Sequence, residues 1–370
     1  MTPTLADLVA VLDGLYPPSW AEPWDAVGLV CGDPATPVGR VLLAVDPVES
    51  VVDEAVAGGY DLLLTHHPLW LKGTTSVAAT TPKGRVAHRL VQAGSALFVA
   101  HTNADVADPG VSDALAGLFD LRDLCPLQAR TEELDKLVVF VPVGDTEALL
   151  DALAAAGAGA VGDYDRCAWT TTGTGTFRPL QGATPAVGQV DRVERVEESR
   201  LEVVVPRARR SAVLAALRAS HPYEEPAFDL LSLVPGPGRR GLGRMGELPE
   251  AMTLRELTDL AAAVLPATAW GVRTAGDPRQ VVRTLAVCGG SGDSLLREAS
   301  VADAYLTSDL RHHPASEAPE GLALLDAAHW ATEWPWLVEA AHRLSAATTV
   351  ETVVSAQVTD PWTHASRSQS

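Results

Sequence analysis

Cysteine is scarce in this chain of 370 residues: Cys31, Cys125, Cys167 and Cys288 are the full set, and no two of them form a C-x-x-C pair. Neither a disulfide framework nor a thiolate zinc site is implied, and buried thiols are expected. Positive charge is short as well. Lys and Arg number 28 against 47 Asp and Glu, giving a formal net charge of -19, whereas a protein that grips nucleic acid or anionic lipid normally carries the opposite sign. A nucleic-acid partner is not expected. No stretch of about 18 residues is free of charge and apolar enough to span a membrane, and the opening Met-Thr-Pro-Thr-Leu-Ala-Asp lacks the basic n-region and apolar core of a signal peptide. We expect a cytoplasmic protein with no membrane contact.

Apolar residues, by contrast, make up 47% of the chain and charged ones 20%, a balance that supports sizeable cores and argues against disorder. The length predicts two or three domains. Over residues 1–127, apolar runs at 40–46 (RVLLAVD), 61–65 (DLLLT) and 96–100 (ALFVA) read as buried strands. Helical spacing over 49–57 and 85–93 lies between them, each stretch closed by Gly. Strand-helix-strand repetition implies a parallel sheet. Residues 128–238 hold an internal repeat: LVVFVP at 137–142 is matched 64 positions later by LEVVVP at 201–206, and Leu150 and Leu153 by Leu214 and Leu217. Two such strand-helix units followed by strand-like sequence predict an inserted ferredoxin-like α+β domain, bounded by Pro235-Gly236-Pro237-Gly238. The α/β pattern resumes over 239–370, with a helix near 253–265 and strands near 284–288, 304–307 and 322–325. The fold class expected is α/β: two lobes with mostly parallel sheets forming a cleft, plus the insertion.

The ten histidines are unevenly placed. His66 and His67 directly follow one predicted strand, and His101 opens His-Thr-Asn-Ala-Asp directly after another. Carboxyl ends of parallel strands share one edge of the sheet, so these imidazoles and Asp105 should converge. Near the C-terminus, Asp309, His312 and His313 follow AYLTS, and His329 and Glu333 follow LALLD. At a spacing of four on a helix, His329 and Glu333 share a face and form a chelating pair. Imidazole and carboxylate donors suit Zn, Mn, Fe or Ni better than Ca or Mg. The set is too rich for one catalytic ion with an open position, and two metals bridged by Glu333 fit the count. Gly289-Gly290-Ser291-Gly292 reads either as a turn that lets backbone approach an anion or as a structural turn.

On these residues the sequence resembles the NGG1-interacting factor 3-like family of dinuclear metal proteins, also labelled GTP cyclohydrolase 1 type 2 homologues. The motifs run from Trp24-Asp25-Ala26-Val27-Gly28-Leu29 through Thr65-His66-His67-Pro68-Leu69, His101 to Asp105, Gly289 to Gly292 and Thr307 to His313, ending at Asp326 to Glu333. His221-Pro222-Tyr223-Glu224-Glu225-Pro226 resembles the PII/CutA-like insertion of longer members. Carried over, the resemblance implies that His66, His67, Asp105, His329 and Glu333 ligate two divalent ions per chain, and that His101 and His313 line the same cleft. It also implies a homohexamer. Ala26, Ser308 and His312 stand where Asn, Gly and an aromatic are usual, and none of them is a presumed ligand.

The expected chemistry is metal-assisted hydrolysis of a small, nucleotide-like substrate, GTP ring opening being what the family label implies, with phosphoester hydrolysis as an alternative. His101 or His313 would move protons, and Asp309 would orient an imidazole. The rival is a non-enzymatic metal-binding regulator whose insert senses a ligand, with Arg207, Arg209, Arg210 and Arg218 meeting an anion.

Overall fold

A computed structural model describes residues 2–366 of the chain. It divides into two compact units, residues 1–130 together with 239–370, and residues 131–238. The first unit contains two sheets. One runs in the order Gly28–Cys31, Ala96–Val99, Leu62–Thr65, Arg40–Ala44, Glu351–Val354, parallel throughout except at the Gly28–Cys31 edge. Its inner strands are buried on both faces, and the two-residue period of a strand splits their apolar runs. Leu42, Leu63 and Leu97 pack against the helices Glu49–Ala57 and Pro82–Ala93. Leu43, Leu62, Leu64 and Phe98 pack on the opposite face against Leu5–Leu15 and the long helix His329–Ala347.

The second sheet runs Val272–Ala275, Ala323–Ala327, Ala304–Ser308, Val281–Ser291, Arg244–Thr253, Arg122–Cys125. Only its three central strands are mutually parallel; the other pairings are antiparallel. The expected mostly parallel sheet is therefore realised in the first case and replaced by a mixed sheet in the second. Contiguous halves of the chain do not each own a sheet either: Glu351–Val354 completes the N-terminal sheet and Arg122–Cys125 the other. Edge strands are short and weakly patterned, so their partners are set by tertiary pairing. Local signals performed better at helix ends. Thr253 and Glu256 form a capping box that starts Leu254–Val264, and Gly94, with φ of 71°, closes Pro82–Ala93 in the left-handed conformation.

Residues 131–238 form a β-α-β-β-α-β run: Leu134–Pro142, Thr146–Ala155, Ala168–Phe177, Glu194–Pro206, Arg210–Ser220 and Phe228–Ser232. The sheet is antiparallel, in the order Phe228–Ser232, Leu134–Pro142, Glu194–Pro206, Ala168–Phe177. The two repeated strands lie side by side, Leu137 opposite Val203 and Val139 opposite Leu201, and their apolar positions share a core with Leu149, Leu153, Val213 and Leu217. Asp135, fully buried, takes the Arg210 guanidinium at 2.8 and 2.9 Å, and Arg207 contacts Glu133 at 2.8 Å. These two arginines are engaged within the fold, which removes them from the expected anion-facing set. Among the described residues, no helix is long and apolar enough to cross a membrane.

His221 holds this unit's sheet to the segment after its second helix. Its ring accepts the Tyr223 N–H at Nδ1 (3.0 Å) and, in the neutral tautomer, donates from Nε2 to the Phe140 carbonyl (2.9 Å). Burial pushes its pKa below 6.5. The unfolded chain therefore takes up this proton first as the pH falls, so the stabilisation is complete above about 6.5 and is lost below it. Thermal unfolding of native protein and His221→Gln should differ more at pH 7.5 than at pH 5; an equal difference would contradict the assigned tautomer.

Candidate metal centre

Strand ends bring the site together. His66 and His67 leave the carboxyl end of Leu62–Thr65, and His101 leaves that of the neighbouring Ala96–Val99. A single helical turn, Thr102–Asp105, then returns Asp105 to the same edge. From the second sheet, Asp309 follows Ala304–Ser308, and His329 opens the helix that follows Ala323–Ala327, with Glu333 one turn further on. All these positions lie within one compact unit.

Each of four imidazoles is fixed through Nδ1: His66 to the Ala100 carbonyl (2.9 Å), His67 to Asp46 (2.7 Å), His101 to Asp25 (2.8 Å) and His329 to Asp309 (2.7 Å). An imidazole held at one nitrogen by a carbonyl or carboxylate presents the other as a ligand, the arrangement found around most metal-bound histidines. Here three of the free nitrogens meet the buried Glu333. His329 Nε2 lies 2.9 Å and His66 Nε2 3.4 Å from Oε1, while His67 Nε2 lies 3.1 Å from Oε2. His66 Nε2 is also 3.7 Å from Asp105 Oδ1.

The donor set tests well against a metal. Ligand atoms of His66, His67 and His101 lie within 4.8 Å of one another, and so do those of His67, His329 and Glu333. His66 Nε2 and Glu333 Oε2 are buried without a hydrogen-bond partner, despite the close approach of His67 to the latter. Lone pairs that converge without hydrogen-bond geometry, in a place closed to solvent, are what a shared cation satisfies and what a protein core otherwise avoids.

Burial opposes ionisation of Glu333, but the imidazoles of His329, His67 and His66 outweigh it and hold the carboxyl well below its usual range. Glu333 in turn raises His329 to about 11 and, against the cost of burial, His67 to about 10. Burial pushes Asp105 up. Asp25 moves the other way: burial is outweighed by hydrogen bonds from His101 and Thr102, which hold it low. A divalent ion bound here competes with protons for the same nitrogens.

Gly289-Gly290-Ser291-Gly292 turns out not to be an anion loop at a helix start. Its first three residues end the strand Val281–Ser291, and Gly290, with φ of 68°, lies so close to the cluster that a Cβ there would collide with Glu333 Oε1. The backbone is pinned at this point, Gly290 N–H donating to Thr332 Oγ1 (2.9 Å) and its carbonyl accepting from Thr307 Oγ1 (3.0 Å). The glycine makes room for a carboxylate.

Of the residues singled out in the sequence, His66, His67, His101, Asp105, Asp309, His329 and Glu333 are brought together. His313 is exposed on the short helix His312–Ser316, packs edge-on against His312 at 5.2 Å, and has no described contact with the cluster. Asp25, Asp46 and Gly290 carry parts of the site that the sequence reading did not assign. The available signal was position: Asp46 follows a buried strand just as the histidines do.

These features define a mixed α/β protein with a candidate His/Glu metal centre at its strand ends. The family model Duf34/NIF3 (NGG1p interacting factor 3) matches residues 3–361. The chain belongs to that family. It is 52% identical over 371 residues to a Mycobacterium tuberculosis protein named GTP cyclohydrolase 1 type 2 homolog, covering 98% of this chain and 97% of the relative. A Mycobacterium leprae protein of the same name is 50% identical over 370 residues, covering 98% and 96%. Among solved structures, a Bacillus cereus protein related to NIF3 is 34% identical and superposes with a TM-score of 0.89 over 99% of this chain and 100% of its own.

Metal titration checks the assignment. Zn²⁺ affinity should fall as the pH drops from 7.5 to 5.5, and calorimetry in buffers of different ionisation heats should register proton release. His66→Ala and Glu333→Ala should lower the metal content of the purified protein. Gly290→Ala should do so too, although it removes no ligand. Full metal content in the glycine variant would show that the close approach is unimportant.

Proposed function

We propose that this chain is a dinuclear, divalent-metal-dependent hydrolase of a small nucleotide-like substrate, with ring opening of GTP or a related nucleotide as the leading reaction. The observation that carries the proposal is a pair of donor groups, His66, His67 and His101 on one side and His67, His329 and the buried Glu333 on the other, that share His67, with Asp105 3.7 Å from His66. His66, His67, Asp105, His329 and Glu333 would hold the ions, Glu333 bridging them. Zn, Mn, Fe or Ni matches these nitrogen and oxygen donors. Bound there, the ions supply Lewis acidity and bring the ionisation of water toward neutral pH.

The chain's own residues orient and move protons. Asp309 and Asp46 fix the rings of His329 and His67, and Asp25 does the same for His101. His101 is the better placed of the two proton carriers expected from the sequence, because it stands within the cluster while His313 is exposed. A cavity of about 290 Å³ beside the cluster is lined by His67, Asp309, His329, Trp270, Asp360 and Trp362. Its size and indole surfaces suit a heterocyclic ring. The printed name of the mycobacterial relatives supports GTP as the first substrate to try, and phosphoester hydrolysis would use the same ligands.

For the 131–238 unit, the strand order and alternation support a ferredoxin-like, PII/CutA-like insert, and the family resemblance supports a homohexamer. If the metal-loaded protein turns over neither GTP nor a phosphoester panel, the non-enzymatic, regulatory reading replaces the hydrolase. If it does, His101→Ala should slow the reaction by roughly 100-fold while retaining metal, the usual scale for losing a general acid or base. Unchanged turnover in that variant would remove His101 from the chemistry.

A further inference from the structure

The segment 221–226 and the threonine- and glycine-rich strand Ala168–Phe177 take no part in the metal cluster. Residues 223–225 of the first and 171–177 of the second line another cavity, of about 630 Å³, formed entirely by residues of the 131–238 unit. Tyr223, which lines it, packs on Phe177 at 5.7 Å and on the His221 ring behind it at 5.2 Å, and that ring is held at both nitrogens. The loop 178–193 makes the wall. It is tied down by the Thr184 N–H donating to the Glu224 carboxylate (2.8 Å), Gln189 N–H to the Glu194 carboxylate (3.1 Å) and Asp191 N–H to the Pro179 carbonyl (2.8 Å).

Into this largely apolar space comes Glu198, only 8% exposed. Its Oε1 accepts the Tyr223 hydroxyl at 2.9 Å, and among the described residues no basic side chain pairs with the carboxylate. Room for it is built into the backbone, since a Cβ on Gly175 would collide with Oε2. Arg178 and Arg200 also line the cavity, but both are exposed and Arg200 is occupied with Glu202 at 3.0 Å. The buried charge facing the space is negative.

A carboxylate removed from water without a cation is costly, and carboxylate beside aromatic faces is the usual receptor for an organic ammonium group. The volume falls in the range of small-molecule sites. We propose that this cavity binds a small organic cation with an apolar body, an alkyl- or arylalkylammonium, whose head pairs with Glu198 while its body lies against Phe140, Phe177 and Tyr223. The cavity shares no lining residue with the metal cluster.

Calorimetric titration of the full-length protein with 4-phenylbutylammonium, 4-phenylbutanol and 4-phenylbutyrate separates charge from shape. The cation should bind about tenfold tighter than the alcohol and more tightly still than the anion, the scale of one charge-assisted hydrogen bond. Glu198→Gln should abolish the cation's advantage with metal content unchanged. Should that variant fail to fold, Ala186→Trp, a substitution on the exposed loop wall, should weaken all three ligands by filling the cavity. Tighter binding of the anion would assign the cavity to the rim arginines and overturn the proposal. So would retained cation preference in Glu198→Gln, undiminished binding in Ala186→Trp, or no binding of any probe, the result expected if a second copy of the chain fills the space.

Discussion

A carboxylate buried among imidazoles governs the architecture of the metal-centre unit. Glu333 is 3% exposed, and its oxygens face His66, His67 and His329 at 2.9 to 3.4 Å. Such a charge survives away from water only if positive charge surrounds it, whether protons on the rings or a metal ion between them. The neighbouring features follow from that requirement. Four rings are clamped at Nδ1, a glycine stands where any side chain would intrude, and Trp336, fully buried, backs His66 at a ring separation of 5.2 Å.

The scaffold meets this requirement by joining two sheets at their strand ends. His66, His67 and His101 come from one sheet, and Asp309, His329 and Glu333 from the other. Each sheet also takes an edge strand from the opposite half of the chain. Separation of the two halves of the chain would therefore break backbone pairing as well as side-chain contacts. The helix His329–Ala347 serves both tasks, carrying two cluster residues one turn apart at its start and burying Trp336, Leu337 and Leu344 in the core beneath the first sheet.

Much of the site could be read in the sequence, because its donors lie directly after buried strands or one helical turn apart. His66-His67, His101 with Asp105, and His329 with Glu333 all carry local signatures. The supports are marked at most by position, not by the ring each would hold. Asp25 reaches His101 from 76 positions away, and Asp46 reaches His67 from 21, and nothing in their immediate surroundings marks the partner. Gly290 lies in a run that read either as an anion-approaching turn or as a structural one, because a glycine run signals close approach without saying of what. In the 131–238 unit, the strand repeat was visible, but not that Asp135 would engage Arg207 and Arg210.

By itself, then, the sequence determined what depends on neighbours within a few residues: the strand and helix periods, the caps at Thr253 and Gly94, and the donor pairs one turn apart. Tertiary structure alone decided which edge strand joins which sheet, that the rings of His66 and His67 would meet Glu333 from the other sheet, and that Glu198 would be buried against a cavity without a basic partner. The physical reason lies in range. Dihedral preferences and hydrophobic periodicity act along the chain, whereas burial and the pairing of charges act across space, between groups whose proximity exists only once the sheets have closed.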